Sequence, residues 1–203
     1  MKIKIVYDNR SQEGFKSSWG FSCLVETKNK VLFDTGANSE TLLYNMNQLK
    51  INPEEIEIVV LSHSHWDHTG GLEGFLKSNR NKAIVYQPKA FSETTEICED
   101  IYSTGALGGF FSIAEQSLVV KTEKENIVVT GCAHPGLENI IDRASKLGKI
   151  YGVLGGFHGF SKLDKLEVIK FIAPCHCTQR IEEIKIRYPE NFREVKAGTV
   201  IEI

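Results

Sequence analysis

Leu61-Ser62-His63-Ser64-His65-Trp66-Asp67-His68-Thr69-Gly70-Gly71 follows an apolar run and places four metal-ligand side chains, His63, His65, Asp67 and His68, within six residues. In extended chain, side chains two residues apart share a face, so His63 and His65 can converge on one ion without helical geometry. Asp67 and His68 need a turn. The Thr-Gly-Gly that follows permits a tight change of direction into a helix, which swings the last two ligands towards a neighbouring ion. Imidazole nitrogen and carboxylate oxygen suit zinc, and also iron or manganese.

Outward from this segment, the other three histidines each follow a β-like run: His134 after IVVTGCA, His158 after YGVLGGF and His176 after KFIAPC. A lone histidine is ordinarily a surface group or a hydrogen-bonded core residue. A recurrent strand-loop-histidine order is different, because strands ending on a common sheet edge collect residues far apart in sequence. All six histidines are expected at one edge.

The runs around them give the architecture. Apolar or alternating segments predict strands at residues 3–7, 21–26, 30–33, 56–61, 83–86, 117–121, 127–130, 150–154, 170–173 and 199–203. Helical spacing predicts helices at 38–49, with Ser39 as N-cap, at 136–147 and at 178–188. The expected class is α/β, with helices lying on stacked sheets in a single domain spanning 1–203. Residues 88–116, Thr-rich and Gly-rich and weakly periodic, are expected to be an insertion that shapes a pocket.

Composition narrows the partners. The balance of 24 basic and 26 acidic residues offers no basic face for a phosphate backbone, which disfavours nucleic acid and leaves a small molecule, anionic ones included. MKIKIVYD enters a strand pattern instead of an export segment, and no stretch approaches membrane-spanning length, so a cytoplasmic location and no membrane partner are expected. Five cysteines without framework spacing read as reduced thiols. Cys175 and Cys177 flank His176, but neighbours in extended chain point away from its face, so packing is their expected role. Glu115, just before a strand, is expected to be structural.

With His63, His65, Asp67 and His68 in H-x-H-x-D-H order, Asp34 in LFDTG, His134 in TGCAHPG and His176 in PCHCT, the chain resembles the metallo-β-lactamase superfamily over almost its whole length. The resemblance implies a four-layer αββα sandwich holding two divalent metal ions, zinc first and iron or manganese as alternatives. It implies His63, His65 and His134 on one ion, and Asp67, His68 and His176 on the other, with Asp34 orienting ligands or capping a turn. Many hydrolytic members carry a bridging aspartate where this chain has Gly155-Gly156-Phe157-His158. That loop holds no carboxylate, leaving His158 to contact a metal, bind substrate or donate a proton.

A narrower resemblance is to the branch containing dihydropterin-ribofuranosylaminobenzene phosphate synthases, through Asp8-Asn9, WGFSCLVE, LFDTG, TGCAHPG, GGFH and PCHCT. The wider superfamily resemblance implies hydrolysis of a small ester, phosphoester, lactone or related substrate by metal-activated water. Asp67 would position the nucleophile and His158 would protonate the leaving group. The alternatives are a transferase condensing a pterin with an aminobenzene ribosyl phosphate, and a metal-binding protein without catalysis. Here Ala-Leu-Gly-Gly follows Thr104-Gly105 where the branch has a basic residue, and Gln179 replaces a glycine.

Overall fold

Alternation of apolar and charged residues over Lys2–Ile5 starts β1 (Lys2–Tyr7), whose last three residues are all buried, and Ser22–Glu26 and Lys30–Phe33 follow as β2 and β3, with β2 antiparallel to both β1 and β3. Helix α1 (Ser39–Gln48) then carries the chain to β4 (Ile58–Val60), which lies parallel to β3. Two short helices, α2 (Trp66–Thr69) and α3 (Leu72–Ser78), lead to β5 (Ile84–Tyr86), parallel to β4. The α1 cap is Asn38, one residue before the expected Ser39. Asn38 is extended, and its side-chain oxygen accepts from Thr41 N at 2.8 Å, satisfying an otherwise orphaned helix-end donor. From α1, Leu42 and Met46 enter a core with Val6, Leu24, Leu32, Val59 and Phe75. Each such fully buried aliphatic contributes roughly 1.5–3 kcal/mol.

This computed structural model describes residues 1–80, 82–108 and 113–203. The chain divides into two compact units, Met1–Pro88 with Lys196–Ile203, and Lys89–Val195. The second unit begins with a hairpin, β6 (Thr95–Cys98) and β7 (Ile101–Ser103), within the segment expected to be an insertion. Its strands escaped sequence reading because β6 is an edge strand only partly buried, so no hydrophobic alternation marks it. Residues 109–112 of that expected insertion lie outside the described residues.

Beyond the hairpin come β8 (Leu118–Val120), β9 (Asn126–Thr130), α4 (Leu137–Ala144), β10 (Ile150–Gly156), β11 (Phe171–Cys175) and α5 (Ile181–Arg187). Helix α4 buries Leu137, Ile140, Ile141 and Ala144, one face at helical spacing, in a core with Val128, Val153 and Ile172. The last strand, β12 (Val200–Glu202), returns to the first unit and pairs antiparallel with β1. Among the described residues each unit thus holds a six-stranded sheet, ordered β12-β1-β2-β3-β4-β5 in the first and β11-β10-β9-β8-β7-β6 in the second. No helix among them is long and apolar enough to cross a membrane.

Strand direction positions the chemistry. In the first sheet Phe33 pairs with Val60, so Asp34 and Ser62 leave parallel strands at one edge. In the second sheet Gly155 pairs with both Thr130 and Pro174, so the loops bearing His134, His158 and His176 leave three parallel strands at a common edge. Carboxyl ends of parallel strands are where α/β folds place their ligand sites.

Candidate functional site

In the first unit the ligand segment is built around Asp34. Its backbone is left-handed, at φ 58°, and Ser22 Oγ donates to its carbonyl at 2.8 Å. The fully buried carboxylate accepts from Ser62 N and Ser62 Oγ, both at 2.7 Å, and from His68 Nδ1 at 2.6 Å. A carboxylate only accepts, so His68 must carry its proton on Nδ1, leaving the Nε2 lone pair for a ligand. Ser62 has one hydroxyl proton and spends it on Asp34. The contact of Ser62 Oγ with His63 Nδ1, at 2.8 Å, therefore runs from the imidazole, and His63 likewise keeps its Nε2 lone pair. One buried acid sets the tautomer of two histidines, a common support for metal-bound imidazole.

The remaining donors of this unit fall into place around those two. His63 Nε2 lies 3.0 Å from His65 Nδ1. A tetrahedral ion with metal–nitrogen bonds of about 2.0–2.1 Å spaces two ligand nitrogens about 3.3 Å apart, so the pair fits one ion. Asp67 Oδ2 is 3.8 Å from His68 Nε2. The turn foreseen for Asp67 and His68 is the helical turn α2 itself, which ends the two-residue alternation and faces both side chains inward. Thr35 fixes the His68 carbonyl, donating from N at 2.8 Å and Oγ1 at 3.0 Å. Asp67 is held by its own carbonyl, which accepts from Phe21 N at 3.2 Å. Asn9 Oδ1 accepts from Gly20 N, tying the strand-end Asp8-Asn9 pair to the same loop. Trp66, 63% exposed, does not anchor the segment in the core. Cys23 is fully buried, and burial, then the Asp34 carboxylate, pushes its thiol well above the ordinary value.

In the second unit the organising acid is Glu115, a residue expected to be structural with no assigned partner. Its buried carboxylate accepts from Thr130 Oγ1, Cys132 N and Ala133 N at Oε1, and from His134 N at Oε2, at 2.8–3.2 Å. Those contacts brace a loop in which Ala133 adopts φ 57°. Sequence alone carries no signal for this, because the acid lies 19 residues from the histidine it serves. The neighbouring loops are tied in turn. Gly156 N donates to Gly131 O, Phe157 N to Thr178 Oγ1, and Gln179 N to His158 O. The rings of His134 and His158 lie 5.1 Å apart, with His158 exposed. Cys132, His176 and Cys177 offer ligand atoms all within 4.8 Å of one another. His158 and His176 take φ values of 45° and 50°, so backbone strain gathers on these loops, as it does at functional sites.

Comparison with known proteins places this arrangement. The family model of the metallo-beta-lactamase superfamily matches residues 20–115. The 7,8-dihydropterin-6-methyl-4-(beta-D-ribofuranosyl)-aminobenzene-5'-phosphate synthase of Methanocaldococcus jannaschii is 30% identical, with 92% of this chain and 90% of that one covered. The chain belongs to the metallo-β-lactamase superfamily. Another relative from the same organism, an uncharacterized protein, is 29% identical over 99% of this chain and all of its own. A crystal structure of a metal-dependent hydrolase of the β-lactamase superfamily superposes with a TM-score of 0.81 at 27% identity, covering 100% of this chain and 99% of that one. The fold is therefore the αββα sandwich of the metallo-β-lactamase superfamily, two mixed sheets flanked by helices.

Proposed function

We propose that the protein is a dinuclear metal-dependent hydrolase of a small ester, phosphoester, lactone or related substrate. His63, His65 and His134 would hold one divalent ion, and Asp67, His68 and His176 the other. The observation that carries this reading is the Asp34–Ser62 network, which leaves the Nε2 lone pairs of both His63 and His68 available as ligands. Surface histidines have no need of such a support. Zinc is the first choice for these nitrogen and oxygen donors, with iron or manganese as alternatives.

Bound divalent ions would supply Lewis acidity and lower the pKa of water at the site. The chain's own residues do the rest. The Asp67 carboxylate accepts a hydrogen bond from the attacking water and orients it. His158, exposed beside His134, delivers a proton to the leaving group, a task suited to imidazole near neutral pH. We place the enzyme in the cytoplasm, with neither nucleic acid nor membrane as partner.

The test is metal content per chain after purification without chelator, for the parent and a His63→Ala, His65→Ala double variant, followed by a panel of ester, lactone and phosphodiester substrates. Two equivalents in the parent, loss in the variant and turnover by the parent are expected. Absence of metal after reconstitution with zinc, iron or manganese would overturn the reading. In the hydrolase, His158→Ala should lower kcat.

The similarity to the synthase favours a second reading, condensation of a pterin with an aminobenzene ribosyl phosphate. Incubating metal-loaded protein with that substrate pair decides it, since only a transferase forms the condensed product.

A further inference from the structure

The loops after β9 and β11 carry two cysteines that the reaction above does not use. In extended chain, alternation would turn Cys177 from the face of His176, but one dihedral breaks that alternation. His176 is left-handed, at φ 50°, so its neighbours no longer alternate about it, and Cys177 Sγ comes within 4.8 Å of both a His176 ring nitrogen and Cys132 Sγ.

Two further contacts hold the thiols there. Cys177 Sγ donates to the Cys132 carbonyl at 3.8 Å. Gly156, at the end of β10, keeps the space open: a Cβ on it would lie 2.7 Å from Cys177 Sγ and 2.4 Å from Gly131 O. Cys132 itself is fixed through its backbone N–H, held by Glu115. Cys132 and His176 are buried and Cys177 is half-buried. The adjoining Gly155-Gly156-Phe157-His158 stretch brings no carboxylate, so the donors gathered around His176 in this unit are sulfur.

We propose that Cys132, His176 and Cys177 form one sulfur–nitrogen–sulfur ligand set, so that the ion held by His176 has thiolate ligands. The proposal rests on the metal-centre reading above and amends its second ion: with Cys132, His176 and Cys177 bound, a tetrahedral ion keeps one further position, for either Asp67 or His68. A tetrahedral zinc with Zn–S bonds of about 2.3 Å places two sulfurs about 3.8 Å apart, within the observed spacing limit. On loading, each thiol gives up its proton to solvent as its sulfur bonds the metal. Thiolate ligation selects zinc or another thiophilic ion over manganese, which prefers oxygen donors.

Cobalt(II) titration of the full, chelator-stripped chain tests this. Near-ultraviolet thiolate-to-cobalt charge-transfer absorption is expected, with protons released as it grows. Cys132→Ser and Cys177→Ser should each lose about half of the absorption, since each removes one sulfur–metal bond, and the double variant should lose all of it. Two equivalents of cobalt bound with visible absorption but no charge-transfer band would overturn the thiolate set and leave the dinuclear centre standing. No cobalt bound would overturn both. A wild-type arm is independent of how the variants fold: bound metal should slow iodoacetamide alkylation of Cys132 and Cys177 while leaving Cys98, on edge strand β6, unchanged. Equal alkylation of Cys132 and Cys177 with and without metal would count against the proposal.

Discussion

Asp34→Asn changes one atom and should disable two ligands. The asparagine oxygen can still accept from Ser62 N, but its NH2 then occupies the position where Asp34 Oδ2 accepts from Ser62 Oγ and His68 Nδ1, at 2.7 and 2.6 Å. Donor would face donor unless the partners reverse. His68 reverses by moving its proton to Nε2. Ser62 reverses by accepting from the amide and donating to His63 Nδ1, 2.8 Å away, which moves the His63 proton to Nε2 as well. Both lone pairs meant for metal are then capped by hydrogen. Loss of an outer support of this kind costs about 10–100-fold in metal affinity, and with two ligands affected the expected loss lies at the upper end, about 2.7 kcal/mol. Ser62→Ala removes the hydroxyl's bonds to both Asp34 and His63 but leaves His68 Nδ1 donating to Asp34, so one ligand loses its tautomer support and the cost should be about tenfold. Competition between the protein and a chromophoric zinc chelator measures both, and nitrogen-15 spectra of the apo imidazoles report the tautomers directly. Native affinity in Asp34→Asn, or an unchanged Nδ1–H on His63 and His68, would refute the reasoning.

Three further outcomes are expected. In Glu115→Gln the amide nitrogen faces the N–H of His134, or of Cys132 and Ala133 if flipped, leaving donors opposed in a buried site; urea unfolding should show a loss of about 2–3 kcal/mol, and Glu115→Asp, a shorter acid, should recover part of it. In Gly155→Ala the new Cβ would sit 1.9 Å from Thr130 O at a backbone φ of 124°, so the melting temperature should fall by the equivalent of at least about 3 kcal/mol. Because the Cys23 thiol is pushed well above 9.0 in the fold, its contribution is complete below that pH and is lost as pH rises towards the folded value, the unfolded chain ionising first. Unfolding free energy should therefore decline as pH rises above about 9, and Cys23→Ala should flatten the decline.

How much of this was legible in the sequence depended on whether the signal was local. The parallel strands β4, β9 and β11 are buried throughout, and β10 at every residue but Tyr151, and they read as apolar runs, so their positions, and the histidines that follow them, were accessible from pattern alone. The H-x-H pair was legible for the same reason, as two side chains on one face. The edge hairpin β6–β7 was not, since β6 buries none of its residues fully and β7, though its burial alternates, is too short to carry a pattern. Glu115 was missed because a buried acid solvated by backbone N–H groups leaves no trace in spacing; its partners are set by which loop the fold brings to it.

The two cysteines beside the ligand loops show the sharper limit. Periodicity assumes that the backbone stays in one region of φ/ψ space, and strand-end residues that carry chemistry are where it leaves that region. Asp34, Ala133, His158 and His176 all have positive φ, and none is glycine. Each reverses the local face rule for its neighbours. A histidine at φ 50° costs of order 1–3 kcal/mol, which the fold sustains only because surrounding contacts fix it: Thr178 Oγ1 bridges the Cys175 carbonyl and Phe157 N on either side of the loop. Cutting that bridge with Thr178→Val should let His176 relax towards extended backbone, and the Cys177 thiol should then become faster to alkylate in the apo protein. An unchanged rate would show that the left-handed turn is held by the histidine loop alone.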